Sequence, residues 1–155
     1  MRFYQKYQQF KQLSFEEKKL FIEAYIVLGK MRMALLTLSF KSLTRSLIHS
    51  PYQKETLLLT PSQEKIAQEV GETIVRASRY TPWQSACLVQ SLTAQKMLEK
   101  RGISGMFHLG VSKNKETPQQ MKAHAWTQCG KSIITGKEGH KAFTVVSVFS
   151  WKSEE

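Results

Sequence analysis

The chain has 155 residues, 41% of them hydrophobic, which provides for one buried core with an appendage and excludes a string of large domains. A formal net charge of +11 favours an acidic partner, such as a peptide, an acidic protein face, nucleic acid or an anionic membrane. The 23 lysines and arginines are scattered, with no run of five, so the chain has no basic tail; all 12 acidic side chains are glutamates, and aspartate is absent.

The N-terminus, Met1-Arg2-Phe3-Tyr4-Gln5-Lys6, is polar and lacks the form of a cleavable signal. A cytoplasmic, reducing setting is therefore expected, with Cys87 and Cys129 as free thiols. Ser14-Phe15-Glu16-Glu17 has the form of a capping box, in which Ser14 and Glu17 satisfy backbone N–H groups at a helix start. Apolar residues then accumulate from Leu20 to Ile48, interrupted by Lys30, Arg32 and Lys41, so no stretch is long enough to span a bilayer. A core or docking helix is the expectation, with membrane contact disfavoured.

Ser50-Pro51 ends this region, and Pro51 to Leu59 reads as a connector. Thr60-Pro61-Ser62-Gln63 is a second helix start, followed by an apolar stripe of Ile66, Val70, Ile74 and Ala77. Tyr80-Thr81-Pro82-Trp83 breaks that helix, because a residue before proline avoids helical geometry. A further helix starts at Ser85 or Ala86, carries Cys87, buries Leu88, Leu92 and Leu98, and ends at Gly102.

Beyond Gly102 the period changes. Met106 to Val111 and Ala123 to Gln128 read as strands, Gly130-Lys131 as a tight turn into Ser132 to Thr135, and Phe143 to Phe149 as a closing strand. Helices first and antiparallel strands after is an α+β layout. The expected division is a helical N-terminal extension over 1–50 and a second unit over 51–155.

Two residues carry candidate chemistry. Unpaired N–H groups and the positive end of the dipole favour the thiolate of a cysteine at a helix start, which is where Cys87 falls. His124, in Lys122-Ala123-His124-Ala125-Trp126, sits on a strand and can hold or deliver a proton. Taken singly, each residue type is ordinarily structural; together, in the order helix then strand, they suit a cysteine hydrolase. The oxyanion donors would be the Cys87 N–H and a group from the Trp83-Gln84-Ser85 loop. Cys129 beside the turn reads as structural, and His108 as an exposed strand histidine, with a place lining the cleft as the lesser alternative. No Cys or His pair has metal-ligand spacing and no glycine-rich phosphate loop is present, so neither metal nor cofactor is expected.

These motifs resemble a known family. Pro82-Trp83 followed by Cys87-Leu88, then Leu98 with Arg101-Gly102-Ile103, Leu109-Gly110-Val111 and Ala123-His124-Ala125-Trp126, is similar to the leader-peptidase part of lasso-peptide biosynthesis B proteins, a transglutaminase-like cysteine protease group. The resemblance implies a papain/transglutaminase-like fold in which a nucleophile-bearing helix packs on a small antiparallel sheet. It implies an enzyme that cuts the leader from a ribosomally made precursor peptide, working with a small leader-recognition protein and an ATP-dependent macrolactam cyclase, as the stand-alone peptidase half of a split pair.

Cys87 would be the nucleophile, His124 the base, and Trp83, Gln84 and Trp126 would line the cleft. The family's third member, an aspartate on the next strand, would fall near Gly136. If Gly130-Lys131 is a two-residue turn, His124 lies opposite Lys137 and Trp126 opposite Thr135. Glu138 after a one-residue register shift, Thr135, a backbone carbonyl, or no third group at all then remain open. The competing readings are a transglutaminase-type acyltransferase and a non-enzymatic basic scaffold or nucleic-acid-binding module.

Overall fold

A computed structural model describes residues 2–51 and 57–153. Five helices and five strands follow in the order α1 (Arg2–Lys11), α2 (Phe15–Thr37), α3 (Phe40–Leu43), β1 (Ile48–Ser50), α4 (Pro61–Ser78), α5 (Cys87–Lys100), β2 (Gly105–Lys113), β3 (Met121–Cys129), β4 (Ser132–Thr135) and β5 (Thr144–Trp151), with a 3-10 turn at His140–Ala142. Both expected capping boxes form: Ser14 and Glu17 bond reciprocally at the start of α2, as do Thr60 and Gln63 at the start of α4. Gly102, at φ +67°, ends α5 as a left-handed residue while Ile103 N–H reaches back to the Leu98 carbonyl.

α5 is the central element. It is buried on nearly every side, between α2 and α4 on one flank and β3, β2 and β4 on the other. Val89, Leu92, Met97 and Leu98 supply its apolar contacts, and the small residues Ser91 and Ala94 allow close neighbours. Arg101 clamps Glu23 of α2 with two bonds of 2.9 and 2.7 Å, and that guanidinium holds the Glu23 carboxyl below its ordinary range.

The sheet is antiparallel throughout, in the order β1-β5-β2-β3-β4. Along β2 and β3 side chains alternate between faces. Phe107 and Cys129, with Phe149 and Trp151 of β5, join Ala24, Leu28, Leu92 and Leu98 in one apolar cluster on the helical side. His108, Trp126 and Val148 are buried on the outer side, where the segment leading from β4 to β5 lies across them.

Three features depart from expectation. The apolar N-terminal region is not one helix: α2 stops at Thr37, and Ser39 caps the one-turn α3. Ile48–Ser50 pairs with Ser150–Val148 of β5, so this piece of the expected extension is the edge strand of the sheet, and Ala24 and Leu28 share the core of α4 and α5. The polar N-terminus forms α1, none of whose residues is buried. Of the expected connector, residues 52–56 lie outside the described residues and 57–59 have no regular structure. Among the described residues no helix is long and apolar enough to cross a membrane.

Candidate active site

The segment before α5 is fastened on both sides. The Thr81 hydroxyl lies 2.8 Å from that of Ser85 and 3.1 Å from the Ser78 and Trp83 carbonyls, while Gln90 Nε2 donates to the Ser85 carbonyl at 3.0 Å. The Trp83 ring packs edge-on to Tyr25 of α2, centroids 5.2 Å apart, over Gly29, where a Cβ would come within 3.1 Å of the indole. Trp83 therefore anchors the loop to α2, and its buried Nε1 has no hydrogen-bond partner among the described residues. Gln84 is exposed and makes no side-chain hydrogen bond among the described residues.

Cys87 is the first residue of α5, half-buried and free. The N-cap is Ala86, in extended geometry, with no side chain to offer the first turn. A helix start leaves several N–H groups without intrahelical partners. Those of Cys87, Leu88 and Val89 donate to no described residue. Three donors and the positive end of a 14-residue helix thus lie beside the thiol, a setting suited to holding an oxyanion.

His124 is half-buried on β3. Its Nε2 lies 2.7 Å from the Gly136 carbonyl oxygen. A carbonyl only accepts, so Nε2 carries the proton and Nδ1 of the neutral ring is left as the base. Gly136 can take this position because it has φ +71° and because a Cβ there would meet the Ala125 carbonyl and sit 2.9 Å from the Trp126 Cα. The ring is flanked by Trp126, stacked with centroids 5.8 Å apart, and by Phe143 at 5.1 Å.

The register explains how a carbonyl reaches this place. Cys129 pairs with Ser132 and Gln128 with Ile133, as a two-residue turn requires, but an irregularity then shifts the pairing so that Thr127, not Trp126, faces Thr135. Glu138 is exposed and makes no hydrogen bond to His124; Thr135 is occupied with Thr127, its hydroxyl donating at 2.8 Å. Of the groups considered for the third position, the backbone carbonyl holds the ring.

Topology relates the two candidates. The chain reverses at Arg101–Ser104, and β2 returns along α5. Five residues from Gly105 to Gly110, the partner of His124, climb about 17 Å, and α5 is about 20 Å long. This spacing carries Gly110, and with it His124, toward the Cys87 half of the helix. The positions flanking it on the helical face are Ala123 and Ala125, and β4 has already ended there. The His124 side chain itself belongs to the outer face with Trp126, and no hydrogen bond joins it to Cys87 among the described residues.

The remaining candidates are explained by burial. Cys129 is 0% exposed, and burial pushes its thiol up to about 12, which keeps it inert. His108 is 1% exposed and stacked on Trp126; burial, with a smaller effect from His140, brings its pKa down to about 4, so the ring is neutral. Phe143 and His140 cover His124 and Trp126, a place that no motif marks. Among the described residues no three His, Cys, Asp or Glu side chains gather as a metal-binding group.

A thiol at an open helix start, a histidine on the adjoining strand and a mixed α+β core define a cysteine-enzyme framework. The chain belongs to the transglutaminase-like superfamily, whose family model matches residues 31–148. No curated protein and no solved structure matches it significantly.

Proposed function

We propose that the protein is a cysteine peptidase that removes the leader from a ribosomally made, lasso-type precursor peptide. The observation that carries this reading is the uncapped start of α5 with Cys87 as its first residue. Nδ1 of His124 takes the thiol proton as sulfur attacks the scissile carbonyl, and the N–H groups of the first turn hold the oxyanion. Collapse breaks the C–N bond; His124 gives its proton to the leaving amine and a thioester remains. Water, deprotonated by the same nitrogen, then attacks the thioester, releasing a carboxylic acid and the free thiol. The Gly136 carbonyl positions the ring in place of a carboxylate, and the proton transfer between Cys87 and His124 is made only with substrate bound.

The choice of a leader peptide as substrate rests on the similarity of the Cys87-Leu88 and Ala123-His124-Ala125-Trp126 motifs to those of leader peptidases. Cytoplasmic action beside a recognition protein and a cyclase belongs to the same proposal. Membership of the transglutaminase-like superfamily favours a second reading, in which an amine rather than water accepts the acyl group. Mass spectrometry of a peptide library incubated with the protein tests both. Peptidase action yields two shorter products that together gain one water, and Cys87→Ala yields none. Joined products would establish transfer, and an unaltered library would overturn both readings.

A further inference from the structure

A groove of about 630 Å³ runs between α1 and the adjoining ends of α2 and α4. Phe3, Tyr7, Phe10, Leu13, Phe21 and Tyr80 give it an apolar lining, and its polar members are Gln9 and three cations, Lys6, Arg76 and Arg79. Among the described residues no carboxylate lines it. Arg76 and Arg79 form no ion pair among the described residues, whereas Lys6 sits over the Tyr80 ring at 4.7 Å. Glu17, whose carboxyl feels the Arg76 charge, lies outside the lining and is held by Ser14.

The groove is built rather than accidental. Phe10, Phe21 and Tyr80 form an edge-to-face ladder, with centroids 5.5 and 5.8 Å apart, that ties α1 to α2 and to the end of α4. Yet Phe3 is 90% and Tyr7 62% exposed, which is a cost in water unless something covers them. Tyr80 also opens the fastened loop that ends at Cys87, so an occupant of the groove lies beside the chain leading to the nucleophile.

We propose that this groove seats an acidic peptide segment bearing aromatic or leucine side chains, lying outside the bond to be cut. Carboxylates would meet Arg76, Arg79 and Lys6, and apolar side chains would cover Phe3 and Tyr7. That the segment belongs to a substrate rests on the peptidase reading; that the groove binds it does not. A concave site walled by three elements suits a peptide better than a bilayer surface.

Binding is measured on full-length Cys87→Ala protein by fluorescence anisotropy, so that no turnover intervenes. The probe is a short labelled peptide alternating glutamate with phenylalanine and leucine, with lysine replacing glutamate in the control. Saturable binding of the acidic peptide alone is expected, weakened about tenfold by Arg76→Glu with Arg79→Glu and also by Phe3→Ala, at an exposed site that leaves folding intact. Equal binding of the lysine peptide, unchanged binding in the variants, or binding only to phosphatidylserine vesicles would each overturn the groove. Should the acidic peptide bind while the wild-type protein cuts nothing, the groove stands and the peptidase reading falls.

Discussion

The starts of α2 and α4 differ from that of α5 in one respect: the first two are closed by reciprocal side-chain caps, the third by nothing. Ser14 with Glu17 and Thr60 with Gln63 each satisfy N–H groups that an isolated helix leaves bare, a contribution of about 1 kcal/mol per cap. α5 forgoes that contribution although it is the most buried helix of the fold. The chain can do so because Trp83 and Thr81 hold its entry from outside and Gln90 of its own first turns reaches back to the Ser85 carbonyl. Stability has been placed around the open helix start, leaving donors free beside a thiol.

Five substitutions and a titration break or sharpen this contrast. The largest effect is expected for Cys87→Ala, which lowers turnover by at least about a thousandfold while the melting temperature stays within a few degrees. Acid separates the helix starts from the sheet. Folded His108 stays neutral down to about pH 4, whereas in the unfolded chain it protonates near 6.5. The unfolded state binds more protons across that window, so stability falls as pH drops through it, by on the order of 3 kcal/mol in urea titrations. His108→Leu flattens this window. Glu17, held below its ordinary 4.5 chiefly by the Ser14 N–H bond, adds stability above that value that is lost as pH falls through its lowered pKa. Glu17→Gln, which keeps the box, removes only this smaller acid-side loss.

Ala86→Asp tests the open start itself. A cap there gains about 1 kcal/mol but slows alkylation of Cys87 several-fold, since a carboxylate occupies the donors and repels the thiolate. If stability rises and alkylation is unchanged, those N–H groups do nothing for the thiol. The smallest effect is expected for Ser14→Ala, a loss of about 1 kcal/mol by chemical unfolding with turnover unchanged.

Local rules made much of the fold legible. Capping boxes gave two helix starts, Gly102 one helix end, and the change of period after it the sheet, because each signal lies within a few neighbouring residues. α1 was hidden by its polar composition, although Phe3, Tyr7 and Phe10 recur at helical spacing. β1 is three residues long and exists through pairing with β5, about a hundred residues later, which no window on Ile48–Ser50 contains. Cys87 at a helix start and His124 on a strand were readable as residue types in order. What orients His124 stayed open among several groups, a backbone carbonyl one of them, since the register shift at Thr127/Gln128 leaves no residue signature.

The most direct test of a Cys87 nucleophile served by His124 is timed iodoacetamide labelling of the folded protein, read by intact and peptide mass spectrometry. One adduct is expected, on Cys87, with Cys129 unmodified until unfolding and with labelling about tenfold slower in His124→Ala. Labelling of Cys129 first, or an unchanged Cys87 rate without the imidazole, would contradict the account.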